Sequence, residues 1–522
     1  MSNRILYNYF DWSKSILKGF FKTVAVITVF SVCEKFLGFL YRIFLSRTIG
    51  AEGIGIYQVA LSVFALLLTL ISSGTPITVS RLMTKYKAEK DNARVEKVVS
   101  AGIIFTLFLA LPICLIIYLF RNSLSLVFAD PRCTPVFLIV LPGLVFTSVY
   151  GVIRGVFWGN KDFLPYSIIE LLEEICMIFV GSILILFSKS AYQGAIYAGV
   201  AVLVSYVFSF SLATLVFFIR KNRLVNPKGE LLPLIKSATP ITAMRTVNSL
   251  AVSLVSIVLP LRLMQAGYTN AQALSAFGAA SGQAIPILFI PTTLIGSFTL
   301  VLVPEIAENY YKNNHKALKV DIEKAIKFTA VLSCVFIPLF IVCGEEIGIL
   351  IFNSHECGKY LTASAFLMLF MGLSSVTTSI LNSIGLENKT LFYYIISSVF
   401  MLIAVWFLPK FIGVYALLVG FTFVYGITTV FNLLLINKTC KIKPKYLKYL
   451  SRCCLLCLPA LLFGIFLEKL LLPVIGNNFT FLVVGSLSAI FSVALNFGFG
   501  LIDFKFIKEK LPKFRLKKQK IA

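Results

Sequence analysis

The sequence predicts an all-α polytopic membrane protein of about 14 transmembrane helices, with two pseudo-symmetric six-helix lobes followed by two C-terminal helices. Three observations point there. Hydrophobic residues make up 58% of the 522 and charged residues only 14%, a balance that needs the bilayer as solvent. The apolar residues gather into separate stretches of the roughly 20 residues that cross a core of about 30 Å. The basic residues fall almost wholly in alternate connecting segments, which orients the helices.

In order, the spans read 22–45, 54–78, 98–120, 134–158, 166–187, 193–219, 237–264, 283–307, 323–350, 361–384, 389–411, 413–436, 449–472 and 478–502. Of the 48 Lys and Arg residues, 35 lie in segments assigned to the cytoplasm, 7 in the opposite loops and six within or at the ends of helices. That split predicts a multi-pass protein of the cell membrane with both termini cytoplasmic. It also accounts for the +25 net charge without a nucleic-acid partner.

Residues 1–21 lack a clean apolar stretch and a small-residue cleavage site, so they read as a cytoplasmic N-terminal segment rather than a signal peptide. Ile5, Tyr9, Trp12, Ile16 and Phe20 give this segment an amphipathic helical spacing suited to the inner leaflet. A partly ordered tail is the alternative. Residues 22–219 form the N-lobe, 220–236 a cytoplasmic linker with Pro227, Gly229 and Pro233, and 237–436 the C-lobe. Residues 437–502 hold the final helix pair and 503–522 a basic cytoplasmic tail.

An offset of 228 residues supports the two-lobe division. It places Pro76 on Pro304 and Asn160-Lys161 on Asn388-Lys389. It also places Thr147, Gly151 and Gly155 on Ser375, Ser379 and Ser383, two stripes of small residues that let helices approach closely in lipid. The offset equals six spans, so the repeat is parallel and the last two helices stand outside it.

An ionisable group in a span costs several kcal/mol unless it is paired or faces water, so each is a functional candidate. Lys35 and Arg42 lie seven residues apart on one face of the first span, and Arg245 occupies the repeat-equivalent span of the second lobe. These three are expected to line a central cationic cavity suited to a phosphate or diphosphate headgroup. Glu34, Arg154, Glu170, Glu173, Glu174 and Arg262 are candidates for either the cavity or structural ion pairs. Arg154 with Glu170 or Glu174 reads as an interhelical pair, and Arg262 as a residue that pairs or snorkels to the outer interface.

Other signals are negative. Cys454 and Cys457 have C-x-x-C spacing but sit in an apolar span without a partner pair, so the 11 cysteines read as packing residues. The two histidines, His315 and His355, fall in loops, and no metal site or cofactor is expected. Gly53-Ile54-Gly55 lacks the rest of a dinucleotide fingerprint, and no phosphate-binding G-x-x-x-x-G-K-[ST] loop occurs. Coupling, if any, must therefore use an ion gradient, the membrane potential or substrate supply.

The run Glu34-Lys35-Phe36-Leu37-Gly38-Phe39-Leu40-Tyr41-Arg42, then Ser46 to Gln58, and Gly74-Thr75-Pro76-Ile77-Thr78-Val79-Ser80-Arg81 carry a family likeness. So do Pro260-Leu261-Arg262, Ala266-Gly267-Tyr268, Pro286 to Pro291 and Leu302 to Ile306. With these motifs the chain resembles the polysaccharide-exporter branch of the multidrug/oligosaccharidyl-lipid/polysaccharide flippase superfamily, whose members include relatives of the lipid II flippases. The resemblance implies a fourteen-helix flippase of endospore-forming bacteria that moves an undecaprenyl-diphosphate-linked saccharide such as lipid II for spore cortex peptidoglycan. It further implies basic cavity residues on the diphosphate, here Lys35, Arg42 and Arg245 by position, and a lipid-tail groove at the last two helices. Lipid-linked oligosaccharide and bilayer are the implied partners, with cell-wall synthases as further candidates.

One departure is that the eighth span carries no basic residue in its interior. The rival readings are a cation-coupled multidrug antiporter, which would need an acidic lumen, and a membrane-embedded transferase. The scarcity of His and Asp in the spans argues against the transferase.

Overall fold

A computed structural model of the chain describes residues 2–441, 446–475 and 477–499. The 503–522 tail, Lys443 and Lys445 lie outside the described residues, as do the side chains of the N-terminal segment and of Pro304. Among the described residues there is no β-strand. The helices are α1 Ser2–Ser72, α2 Thr75–Ala88, α3 Asn92–Leu119, α4 Cys133–Val140, α5 Gly143–Gly159 and α6 Phe163–Leu186. There follow α7 Ala191–Ile219, α8 Leu231–Gln265, α9 Asn270–Phe277, α10 Ile285–Tyr311, α11 His315–Phe352 and α12 His355–Ser364. The last are α13 Leu367–Ser383, α14 Glu387–Phe407, α15 Pro409–Ile412, α16 Ala416–Cys440, α17 Tyr446–Ile475 and α18 Asn477–Gly498. The fold is all-α and spans the membrane many times. Nine described helical stretches are long and apolar enough to cross a membrane, and two bent pairs, α4 with α5 and α12 with α13, bring this to eleven.

Chain chemistry explains several boundaries. Asp91 caps α3 by accepting from Arg94 N at 3.0 Å, and Thr269 with Gln272 forms a capping box at α9. α1 holds the first two predicted spans in one helix and breaks between them at Gly50, with φ 68° and ψ 179°. Side-chain-bearing residues pay about 1–3 kcal/mol in such backbone regions. Beyond the chain immediately flanking Gly50, nothing among the described residues lies within 4 Å of where its Cβ would stand, so the penalty is conformational rather than steric. Gly50→Ala is therefore expected to cost about 1–3 kcal/mol, read as a lower unfolding midpoint in detergent. An unchanged midpoint would mean that the break is not required.

The contacts divide the chain into two compact units. The first comprises Met1–Pro286, Ile351–Cys357 and Ser398–Gly420, and the second Ile287–Leu350, Gly358–Ser397 and Phe421–Ala522. Within the first unit, α1 packs on α6, α7, α8 and α9, α6 on α7, and α2 on α3 and α5. Val79, Met83, Val98, Val152, Val156 and Phe217 are buried where α2, α3, α5 and α7 meet. Phe108, Leu115, Phe179 and Leu215 remain exposed, as apolar residues facing acyl chains do.

The 220–236 segment is tied down within this unit. Buried Glu230 accepts from Arg94 Nε at 2.7 Å and from the Tyr86 hydroxyl at 2.8 Å. Val225 N donates to Ser100 Oγ at 2.8 Å, and Arg220 pairs with Asp162. At the loop between α3 and α4, Arg132 bridges Asp130 at 2.9 Å and Glu52 at 2.6 Å, fastening that loop to α1 just beyond its break.

In the second unit, α17 and α18 pack on each other and on α11. Gly464 lies against Val342, and Gly485 against Leu339 and Cys343.

Candidate functional site

α6 is 24 residues long, about 36 Å at 1.5 Å per residue, yet it carries Glu170, Glu173 and Glu174 in its first half. Carboxylates at this position are tolerable only with partners or a polar cavity. The first unit supplies both.

Arg154 of α5 meets Glu170 at 3.1 Å, and its guanidinium also lies 5.2 Å from the Trp158 ring centroid. This pair borders a cavity of about 280 Å³ inside the first unit. α1 and the turn after it contribute Leu68, Thr69, Ser72 and Ser73, and α5 contributes Thr147, Tyr150, Gly151 and Arg154. Glu170 and Glu173 come from α6, Tyr206 from α7 and Arg245 from α8. Arg245 Nη1 lies 3.4 Å from the Ser73 carbonyl oxygen, a long contact and the guanidinium's one hydrogen bond among the described residues.

The polar atoms of the lining are unusually ill-served. Ser73 Oγ, Thr147 Oγ1, the Tyr150 hydroxyl and Arg154 Nε are buried without a hydrogen-bond partner among the described residues. All four belong to lining residues. Each buried orphan costs about 1–3 kcal/mol, and all four sit on residues that border this one cavity. All four can donate, as can Arg245, whereas Glu170 and Glu173 accept. Arg245 thus offers the cavity donors for an oxyanion, and Glu170 and Glu173 offer acceptors to hydroxyl groups.

The remaining sequence candidates are distributed around this cavity. Glu34 of α1 lies within electrostatic range of Glu170, Lys35 and Arg154. Glu174 reaches over Gly38, where an added Cβ would stand 2.9 Å from Glu174 Oε1, and acts on both Glu34 and Arg42. Arg42 Nη1 donates to the Gly282 carbonyl at 3.1 Å. Gly282 belongs to the π-helical turn Gly278–Ala284, and such turns recur at functional sites. Beside it, Gln283 Nε2 donates to Ser46 Oγ at 2.7 Å, and Ser46 Oγ to the Phe352 carbonyl at 3.1 Å. Lys35 is exposed on α1. Of Lys35, Arg42 and Arg245, only Arg245 lines the cavity. Arg262 Nε donates to the Trp406 carbonyl at 2.7 Å, with its guanidinium 4.8 Å from that ring.

The two small-residue stripes differ. Thr147 and Gly151 line the cavity, while a Cβ on Gly155 would stand 2.5 Å from the Pro76 carbonyl oxygen, so α5 and α2 touch there. On α13 Ser375 is exposed, and Ser379 and Ser383 donate to carbonyls of their own helix at 2.9 and 2.7 Å. Gly372 takes the close contacts of α13, with Ile295 and Thr329. The residues that sequence reasoning missed are Ser73, Tyr150 and Tyr206, whose types are too common in spans to stand out.

A family model described as polysaccharide biosynthesis protein matches residues 20–310. Stage V sporulation protein B of Bacillus subtilis (strain 168) is 22% identical over 387 residues, covering 71% of this chain and 74% of that protein. Lipid II flippase MurJ of the same organism is 25% identical over 346 residues, covering 60% and 62%. Among solved structures, lipid II flippase MurJ in an inward closed conformation aligns with a TM-score of 0.69 at 16% identity, over 91% of this chain and 99% of that one. An inward-facing MATE family transporter of the MOP superfamily aligns with a TM-score of 0.61 at 15% identity, over 81% and 94%. Of these, the MurJ proteins are named as lipid II flippases and the MATE protein as a transporter.

Proposed function

The chain belongs to the polysaccharide biosynthesis protein family and is a multi-pass membrane protein, and from that premise we propose that it is a transporter of flippase type that moves an undecaprenyl-diphosphate-linked saccharide from the inner to the outer leaflet by alternating access. The saccharide is lipid II or a close analogue, used for spore cortex peptidoglycan. The observation that carries the reading is the first-unit cavity, where Arg245 and Arg154 stand beside the carboxylates of Glu170 and Glu173. Phosphate oxygens pair with the Arg245 guanidinium, and sugar hydroxyls donate to Glu170 and Glu173. At about 280 Å³ the cavity holds the phosphate and first sugar, while the polyprenyl tail stays in lipid. Lys35 and Arg42 extend the cationic surface along α1, and α17 with α18 guides the tail.

Both termini are cytoplasmic in this reading, so reporter fusions after residue 441 and within 188–190 should report opposite sides. Equal signals would overturn the orientation. A potential negative inside favours outward movement of a diphosphate by roughly 2.3 kcal/mol per charge per 100 mV. Replacing Lys35 and Arg42 together with alanine is expected to slow flipping of labelled precursor in proteoliposomes by at least about tenfold, as expected for losing charge-assisted contacts. Full activity in that variant would remove both residues from the substrate path.

A second reading rests on a specific feature, a ring of carboxylates in which Glu34 interacts with Glu170 and Glu174, and Glu173 with Glu170 and Glu174. That acidic group suits a cation-coupled multidrug antiporter. Export of a cationic dye driven by a sodium or proton gradient, abolished by Glu173→Gln, would favour it over lipid flipping.

A further inference from the structure

The strongest group outside the cavity is a set of thiols in the second unit. Cys334 of α11 and Cys453 and Cys457 of α17 are all buried, and their sulfurs lie within 4.8 Å of one another. Cys453 and Cys457 are four residues apart and so project from one helix face. Cys334 comes from the helix packed against that face, and the two elements interlock there. Cys334 Sγ donates to the Cys453 carbonyl at 3.3 Å, and Cys453 Sγ to the Ala330 carbonyl at 3.2 Å. Both carbonyls are helical and keep their backbone partners if the thiols lose their protons. Toward the start of α17, the Tyr449 hydroxyl donates to Glu323 at 3.1 Å, which places the thiols about one turn deeper than a polar contact.

We propose that Cys334, Cys453 and Cys457 form a three-thiolate site for a thiophilic divalent cation of the zinc class. An ion about 2.3 Å from each sulfur in a trigonal arrangement separates the sulfurs by about 4.0 Å, so the thiols must close by less than about 1 Å. Three S–H protons leave to solvent as three sulfur–metal bonds form, which makes binding tighter as pH rises. Three thiolates with a divalent ion leave one net negative charge. A monovalent ion would leave two, a heavier burden in a helix interior. Soft sulfur donors select against magnesium and calcium. A bound ion clamps α17 to α11.

The test uses full-length protein purified in detergent under reducing conditions and titrated with cadmium ions. The expected result is one ion per chain, with thiolate-to-cadmium charge-transfer absorption in the ultraviolet and a raised unfolding midpoint. Each of Cys334→Ser, Cys453→Ser and Cys457→Ser should weaken binding at least tenfold, while Cys454→Ser should not change it. In the wild type, which avoids any folding defect of the variants, cadmium should slow modification of these three cysteines by a small membrane-permeant maleimide and leave Cys454 unaffected. Absence of stoichiometric binding by the wild type, or binding that survives all three single variants, would overturn the site.

Discussion

Replacing Arg154 by alanine is expected to destabilise the first unit by about 2–3 kcal/mol. Breaking a fully buried ion pair costs roughly 3–5 kcal/mol, because the surviving charge is left without a partner. Arg154 and Glu170 retain 32% and 21% side-chain exposure, so water recovers part of that cost. The same substitution removes the guanidinium from the Trp158 ring and deletes one of the orphaned donors at the cavity. Unfolding in detergent measures the loss, and a cycle with Glu170→Gln isolates the pair. The double variant should be more stable than the sum of the single effects requires, since it leaves no lone carboxylate. Strict additivity would mean that the pair contributes no coupling.

The second large effect concerns transport rather than stability. Arg245→Ala is expected to reduce flipping of a diphosphate-linked saccharide by about 10–100-fold. A hydrogen bond to a charged group is worth about 1.5–3 kcal/mol, and each 1.36 kcal/mol is a factor of ten in rate. Stability should change little, because the only described hydrogen bond of this guanidinium is the 3.4 Å contact with the Ser73 carbonyl. Arg245→Lys keeps the charge but loses the planar fork and should fall between the two. A fall in unfolding midpoint matching the loss of transport would assign Arg245 a structural role instead.

Much of this architecture was legible in the sequence, for identifiable reasons. Apolar stretches of spanning length register directly as helices, so α3, α7, α11, α14 and α16 lie where hydropathy puts them. Ionisable residues are so costly in spans that Arg154, Glu170, Glu173 and Arg245 stand out from their apolar neighbours in the sequence alone. The break at Gly50 falls in the gap between the predicted spans 22–45 and 54–78, but the helix running on through residues 46–53 on both sides of it was hidden, because Ser46, Arg47, Thr48 and Glu52 read as a loop by hydropathy. The bends between α4 and α5 and between α12 and α13 were hidden likewise.

The hydroxyls of Ser73, Thr147 and Tyr150 were silent as ligand candidates for another reason. Ser and Thr in helices normally bond a carbonyl of the preceding turn, as Thr106 does with Gly102 at 3.0 Å, so only three-dimensional packing shows which ones lack a partner. The thiol group was missed because the C-x-x-C spacing drew attention to Cys454, which is exposed. The third thiol, Cys334, lies 119 residues before Cys453 in sequence.

The most direct measurement is flipping by the purified protein in proteoliposomes, using a fluorescent undecaprenyl-diphosphate saccharide and a membrane-impermeant quencher to count the outer leaflet. The wild type should move the diphosphate-linked lipid, Arg245→Ala should move it about 10–100-fold more slowly, and a neutral glycolipid of the same chain length should stay in place. Equal movement of the neutral lipid, or an Arg245→Ala rate equal to wild type, would contradict an anionic headgroup held in the first-unit cavity.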